Sequence, residues 1–145
     1  MQPPPPRLRV RFYATEGGAE VVRAELDDLG LEARAAVLAA LKRRTRMEQF
    51  HHEDEHVRGR LWAMRTTYDG SEYRALYALV GTRHKVLLAL HAINKKTKKL
   101  PKQIIDRADN RLADWERRGR ALNPPGAAKA LSAKTDIVQV RKGGS

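Results

Sequence analysis

The spacing of apolar residues predicts three elements in the first third of the chain. A strand is expected over residues 9–15, where β-branched and aromatic residues alternate with arginine. Apolar residues then recur at helical spacing over residues 19–29 and from Leu31 to about Met47, with Gly30 between the two runs. So short a connection predicts an antiparallel helical hairpin.

The pattern after residue 60 predicts a meander of three strands followed by a helix. The strands are expected over residues 61–68, 72–80 and 85–94. Asp69-Gly70 is a strong hairpin signal, Pro101 opens the last helix, and Gly119 is its predicted stop. The order β-α-α-β-β-β-α predicts an α+β fold, in which an N-terminal helical hairpin and a C-terminal helix pack a small, largely antiparallel sheet.

Composition divides the chain into three segments. The proline-rich residues 1–6 are expected to be a disordered leader. Residues 120–145 contain an Asn-Pro-Pro-Gly break and an excess of basic residues, so a flexible tail is expected there. Residues 7–119 are then predicted to form one folded domain, a size that allows a substantial core.

The charge of the chain favours a polyanionic partner. Its 145 residues contain 29 Lys and Arg against 17 Asp and Glu, a formal net charge of +12 at pH 7, which is typical of nucleic-acid-binding proteins. Because cysteine is absent, neither a disulfide nor a zinc–thiolate site is possible. No apolar run approaches the ~20 residues of a membrane span, and no signal-peptide stretch is present, so we expect a cytoplasmic protein without a membrane partner.

One short motif suggests a different chemistry. His52, Glu53 and His56 match the zinc-peptidase pattern H-E-x-x-H, in which a helix presents two histidines to the metal and the glutamate activates water. The longer form of that pattern has a third histidine where this chain has Trp62, which cannot bind a metal. Residues 49–60 also lack the apolar face of a buried helix. We therefore expect a polar loop here, with no metal and no cofactor, and zinc peptidase is the last of the alternatives.

The predicted hairpin places two arginines opposite each other. A two-residue turn at Asp69-Gly70 pairs Arg65 with Arg74, and directly opposed residues share a face with Cβ atoms about 5 Å apart. Two cations at that spacing repel unless an anion lies between them, which favours a phosphate site. The alternative is that each arginine pairs with a carboxylate of the last helix, such as Asp106 or Asp109.

A histidine and a lysine cluster are predicted to extend this row. If the next loop also holds an even number of residues, His91 lies opposite Arg74, and Ile93 and Lys95 share their face. The row Arg65–Arg74–His91 then ends near four lysines: Lys95, Lys96, Lys98 and Lys99. This arrangement makes His91 a candidate proton-transfer group. A packed histidine beside solvated lysines is the simpler alternative.

The stretch from Leu61 to Trp115 resembles the HigB branch of the RelE/ParE toxin superfamily, in particular its phage-derived HigB-like members. The residues that carry the resemblance are Leu61-Trp-Ala-Met-Arg65, Tyr73-Arg-Ala-Leu-Tyr77, Leu90-His-Ala-Ile-Asn-Lys-Lys-Thr97, and Pro101 opening a helix that contains Ala108. The family pattern has an acidic residue in place of Ala63 and an aromatic one in place of Ile93, so charge pairing and packing differ there. The order of elements extends the resemblance to residues 9–119.

The resemblance implies a RelE-like fold and a toxin of a type II toxin–antitoxin system. Such toxins cleave mRNA, usually in the ribosomal A site, and a cognate antitoxin, here expected to be a helix-turn-helix protein of the HigA type, neutralises them. Attack by the RNA's own 2′-OH needs no metal, but it needs proton transfer and cations at the phosphate. The expected catalytic residues are Arg65, Arg74, His91, Lys95 and Lys96. The expected RNA-binding residues are Lys95, Lys96, Lys98 and Lys99.

Two other functions fit the same features. A ParE-like member of the superfamily would bind DNA gyrase through the basic face and would have no nuclease activity. A non-enzymatic nucleic-acid-binding module would need only the charge. A supercoiling assay run beside a translation assay separates these alternatives.

Overall fold

The computed structural model describes residues 7–46, 54–95 and 99–122, except the side chains of residues 120–122. Its elements in chain order are β1 (Arg9–Phe12), α1 (Val21–Asp28), α2 (Leu31–Arg44), β2 (Asp54–Arg58), β3 (Leu61–Tyr68), β4 (Ser71–Val80), a 3₁₀ turn (Thr82–His84), β5 (Val86–Lys95) and α3 (Lys102–Leu122). The predicted α+β class is confirmed, and the predicted elements are present with ends that differ by a few residues.

The sheet has five strands in the order β1-β5-β4-β3-β2. β1 runs parallel to β5, with Arg9 paired to Val86, and the other neighbouring strands are antiparallel. The meander of β2 to β5 forms from chain neighbours joined by short turns. The helical hairpin separates β1 from them and lets it return to the free edge of β5.

Helices cover both faces of the sheet. Arg44 of α2 reaches Tyr77 of β4, and its Nε lies 3.4 Å from the tyrosine hydroxyl. Arg111 of α3 contacts His91, whose register partner Leu76 points to the face opposite Tyr77. The buried core residues between these layers include Leu26, Leu41, Leu61, Leu76, Leu88 and Leu112. The strands therefore carry long apolar runs because both of their faces are covered.

The Asp69-Gly70 turn has the expected geometry. Asp69 has φ 50° and Gly70 has φ 78°, and two consecutive positive φ angles are required by the type I′ turn of a two-residue hairpin. The register follows from this turn, and Tyr68 pairs with Ser71. The predicted pairing of β3 with β4 is confirmed.

Two predictions about element boundaries are wrong. Residues 54–58 were expected within a polar loop but form β2, an edge strand that pairs with β3 and has an irregularity between His56 and Arg58. A strand of almost wholly polar residues shows no apolar alternation, because ion pairs rather than apolar burial hold its side chains. Gly119 does not end α3, which continues to Leu122.

Candidate functional site

The two predicted arginines lie opposite each other but in different environments. Arg65 of β3 pairs with Arg74 of β4 in the sheet register. Arg65 is exposed, and within the described residues it forms no ion pair. Arg74 is 4% exposed. Only one of the two guanidinium groups is therefore open to a ligand.

Carboxylates compensate the charge of Arg74. Its Nε lies 3.3 Å from Glu55 Oε1, and its Nη1 lies 3.2 Å from Glu72 Oε1. Glu55 lies in β2. Because the sequence pattern predicts a loop there, it does not predict this contact. The alternative that Arg74 pairs with Asp106 or Asp109 of the last helix is wrong, because Arg74 contacts Glu55 and Glu72 instead. Both aspartates contact Arg58, at 2.8 and 3.5 Å.

Lys95 meets the same glutamate. Glu72 pairs with Lys95 in the β4–β5 register, and Lys95 Nζ lies 4.0 Å from Glu72 Oε1. The Glu72 carboxylate thus lies between two cations while its side chain is 45% exposed. Sequence reasoning did not single out Glu72. The sequence does contain one indication of its role: Glu72 lies two residues before Arg74, so both side chains lie on one face of β4. We call Arg65, Glu72, Arg74 and Lys95 the hairpin site.

The sequence predicts that His91 lies opposite Arg74, and this prediction is wrong. Arg74 pairs with Ile93, and His91 pairs with Leu76. The prediction assumed an even loop, whereas five residues separate Val80 from its partner Val86, and a bulge follows between Leu76 and Tyr77. Together they shift the register by two residues, so His91 keeps the predicted face but lies diagonally from Arg74.

His91 belongs to a separate buried network. It is 4% exposed, and its Nδ1 lies 3.1 Å from Glu25 Oε1 of α1 and 3.3 Å from Arg111 Nη1 of α3. Arg111 Nη2 binds Glu25 Oε2 at 2.9 Å. Burial raises the pKa of Glu25, but hydrogen bonds from His91 and Arg111 lower it by more, so that pKa lies below its ordinary value. These contacts join β5 to two helices.

The network also completes the edge of the sheet. β1 ends at Phe12, and the last contact on this edge is from Tyr13 N to Ala89 O at 3.0 Å. Beyond that point the Ala92 N–H donates to Glu25 at 3.2 Å, and Arg111 donates to the Leu90 carbonyl at 2.8 Å. Side chains thus satisfy the backbone groups that a longer β1 would otherwise pair with, so His91 and its partners have a structural role.

The lysine cluster is described only in part. Lys96 and Lys98 lie outside the described residues. Lys99 is exposed and lies just beyond that gap. Lys95 contacts Glu72, and its side chain is 7% exposed.

The H-E-x-x-H motif does not form the helix that a zinc peptidase needs. His56 lies in β2, pairs with Trp62, and places its Nε2 2.7 Å from the Gly59 carbonyl oxygen. His52 and Glu53 lie outside the described residues. A zinc peptidase presents both histidines from one helix, and the strand conformation of residues 54–58 rules out a helix that extends to His56.

A family comparison covers the whole hairpin site. The family model described as "Phage derived protein Gp49-like (DUF891)" matches residues 24–113, which is more than half of the chain. The chain belongs to the Gp49-like family. This phage-derived, toxin-like family is part of the RelE/HigB-like toxin superfamily. The match begins within α1 and ends within α3, so it includes the strands β2 to β5 of the Gp49-like chain.

Two further findings complete the comparison. A search of the curated proteins found no match to this Gp49-like chain. Among the described residues, no helix combines the length and the apolar character needed to cross a membrane.

Proposed function

We propose that this Gp49-like chain is the toxin of a type II toxin–antitoxin system, of the HigB-like kind, and that it cleaves mRNA on the ribosome. The observation that carries the proposal is the hairpin site within the matched region. There an exposed arginine, Arg65, lies opposite a buried one, and a half-exposed carboxylate, Glu72, lies between Arg74 and Lys95. A cation and a proton acceptor in one site are what metal-independent RNA cleavage requires.

The reaction is an attack of the RNA's 2′-oxygen on the adjacent phosphorus. The bond from phosphorus to the 5′-oxygen breaks, which leaves a 2′,3′-cyclic phosphate and a free 5′-OH. We assign proton acceptance from the 2′-OH to Glu72, because its carboxylate is the accessible base of the site. Arg65 stabilises the charge that develops on the phosphate, and the leaving 5′-oxygen takes its proton from water. Lys95, whose side chain is 7% exposed, holds the Glu72 carboxylate.

Arg74 acts in this mechanism as a positioning residue. Its guanidinium is buried and binds Glu72 and Glu55 at 3.2 and 3.3 Å, so it fixes the direction of the Glu72 carboxylate. His91, the acid–base candidate from the sequence, is 4% exposed and binds Glu25 and Arg111. The proposal therefore transfers the acid–base role from His91 to Glu72.

The partners follow from this function. The substrate is mRNA held by the ribosome, and we propose that Lys96, Lys98 and Lys99 of the predicted cluster bind its backbone. Lys95, the fourth lysine of that cluster, is nearly buried against Glu72. A helix-turn-helix antitoxin of the HigA type neutralises the toxin. Both partners place the protein in the cytoplasm.

The test is a ribosome-dependent cleavage assay in which mRNA ends are mapped by primer extension. Glu72→Gln keeps the size of the side chain but removes the proton acceptor, so cleavage should fall by about 10²–10³-fold. Arg107→Gln, which removes an exposed cation from α3, is the matched control and should cleave as the wild type does. Thermal melting of each variant verifies folding.

Two outcomes contradict the proposal. A folded Glu72→Gln variant that cleaves at the wild-type rate excludes the assigned base. A wild-type chain that inhibits gyrase supercoiling and leaves mRNA intact indicates the ParE-like function instead.

A further inference from the structure

A strongly basic surface lies at the end of the sheet remote from the hairpin site. Three chain segments meet there, residues 7–9, 42–46 and 81–85. Arg7 N donates to Thr45 O at 2.7 Å, and Arg9 N donates to Lys85 O at 2.9 Å. We call these three segments the basic pole.

The basic pole contains many cations and no acidic residue. Its exposed or part-exposed cations are Arg7, Arg9, Lys42, Arg43, Arg46, Arg83 and Lys85. Arg44 is the exception, since it is 3% exposed and lies 3.6 Å from Asp54. A groove of about 360 Å³ crosses the surface between Arg7, Arg83, His84 and Lys85. Seven exposed or part-exposed cations of the described residues therefore lie together at this end of the sheet.

The loop of the basic pole has an unusual backbone. Arg83 has φ 59° and His84 has φ 53°, values that residues other than glycine rarely adopt. Hydrogen bonds from His84 N to Gly81 O and from Lys85 N to Thr82 O, at 3.0 and 3.3 Å, hold this conformation. Such a backbone persists where the surrounding contacts determine it, and here it presents Arg83 and Lys85 to solvent.

The basic pole is too distant to share a phosphate with the hairpin site. β4 runs from one to the other, and the seven residue steps from Arg74 to Gly81 span about 23 Å at the rise of a strand. The two basic regions therefore require separate contacts, either with two molecules or with two parts of a large one.

The composition of the basic pole favours a phosphate backbone over a protein. Protein interfaces have apolar or aromatic cores. The exposed large apolar residue of the described chain, Leu31, lies at the opposite end of α2 from residues 42–46. Within the basic pole no Phe, Tyr or Trp is present for single-stranded bases to stack on, and Nδ1 of its one imidazole, His84, lies 3.3 Å from the Leu79 carbonyl oxygen. Double-helical RNA is bound largely through its phosphates and its shape.

We propose that the basic pole is a second RNA-binding surface, which docks the toxin on double-helical RNA such as the helices of ribosomal RNA. The proposal rests on the proposed function in one respect, because cleavage on the ribosome provides such RNA beside the mRNA. Docking at the basic pole would increase the local concentration of the toxin at its substrate without contributing to the chemical step.

The test measures binding of the full chain to a 20-base-pair RNA duplex at several salt concentrations. The pole variant carries Lys42→Gln, Arg83→Asn and Lys85→Gln, and asparagine is chosen because it tolerates positive φ. The control variant has the same net charge through Arg23→Gln, Lys102→Gln and Arg107→Gln, three exposed cations outside the basic pole. We expect at least tenfold weaker binding for the pole variant, and a salt slope reduced by roughly 0.9 for each charge removed. The control should bind as the wild type does.

Several outcomes would overturn the inference. Equal weakening of the two variants means that only total charge matters. Unchanged binding by a folded pole variant removes the site. If the pole variant loses more affinity for single-stranded RNA, or for polyglutamate of equal charge, than for the RNA duplex, the basic pole binds a different partner.

The same assay separates this inference from the proposed function. Glu72→Gln should bind the duplex normally while losing cleavage, and continued cleavage by that variant would reject Glu72 as the base. If the wild-type chain leaves mRNA intact, the nuclease function is rejected, and the duplex measurement alone decides on the basic pole. On ribosomes, the pole variant should need a higher ribosome concentration for half-maximal cleavage, with the maximal rate nearly unchanged.

Discussion

Arg65 and Arg74 are neighbours in the sheet, but their energetic roles differ. Opposed arginines alone would repel each other, and relief of that repulsion would make removal of either one harmless to the fold. The carboxylates of Glu55 and Glu72 change this expectation for Arg74, which is buried and binds both. Arg65 keeps the character inferred from the sequence, because it is exposed and has no ion pair within the described residues.

We therefore predict different effects of the two alanine substitutions. Arg74→Ala should lower the free energy of unfolding by about 1–3 kcal/mol, because two carboxylates lose their hydrogen-bond donor and a buried stem is lost. Arg65→Ala should change it by less than about 0.5 kcal/mol. Both should lose about 10²–10³-fold in cleavage rate. Chemical denaturation beside the cleavage assay measures the two effects.

The opposite pattern would contradict this division of roles. If Arg74→Ala is as stable as the wild type, the contacts with Glu55 and Glu72 contribute nothing to the fold. If folded Arg65→Ala still cleaves at the wild-type rate, Arg65 does not contact the phosphate.

At the scale of elements, turn chemistry decides how far sequence reasoning extends. Asp69-Gly70 imposes one turn type, so the register of β3 and β4 was predictable residue by residue. The 81–85 loop has no such signal, since its positive φ angles fall on Arg83 and His84 as well as Gly81. The bulge after it was equally invisible, so the position of His91 was missed by two residues.

The network of Glu25, His91 and Arg111 links three elements, and its pH dependence is testable. The pKa of Glu25 is lower in the folded chain than in the unfolded one, so its contribution to stability is fully present above the ordinary value of about 4.3 and is lost as pH falls below it. We predict that Glu25→Gln, compared with the wild type, loses less of its melting temperature between pH 6 and pH 3.

The control for this prediction is Asp28→Asn, which removes an exposed carboxylate from the same helix. Its melting temperature should fall with pH as steeply as that of the wild type. An equally steep fall for Glu25→Gln would show that other carboxylates dominate acid unfolding.

At the scale of the whole molecule, the described residues include two separate basic regions, the hairpin site and the basic pole. The hairpin site lies near the turn of β3 and β4, and the basic pole lies at the far end of the same strands. Composition alone predicted a polyanionic partner, but a net charge of +12 carries no information about position. The sequence does not show this separation, because Arg7 and Arg9 come close to Lys85 only through the parallel pairing of β1 with β5.

This distribution leads to a prediction about the antitoxin. We predict that it docks against the face that bears the hairpin site and contributes acidic side chains, because neutralisation requires the proposed catalytic groups to be covered. Its affinity should fall as salt rises from 0.1 to 0.5 M, since charges at an interface rim are screened over about 10 Å at 0.1 M. Arg65→Gln should weaken the complex and reduce its salt dependence, whereas the pole variant should leave both unchanged. Titration of the purified pair by calorimetry at each salt concentration measures these quantities. An affinity that does not change with salt would rule out an electrostatic interface, and a loss of affinity in the pole variant alone would move the antitoxin to the basic pole.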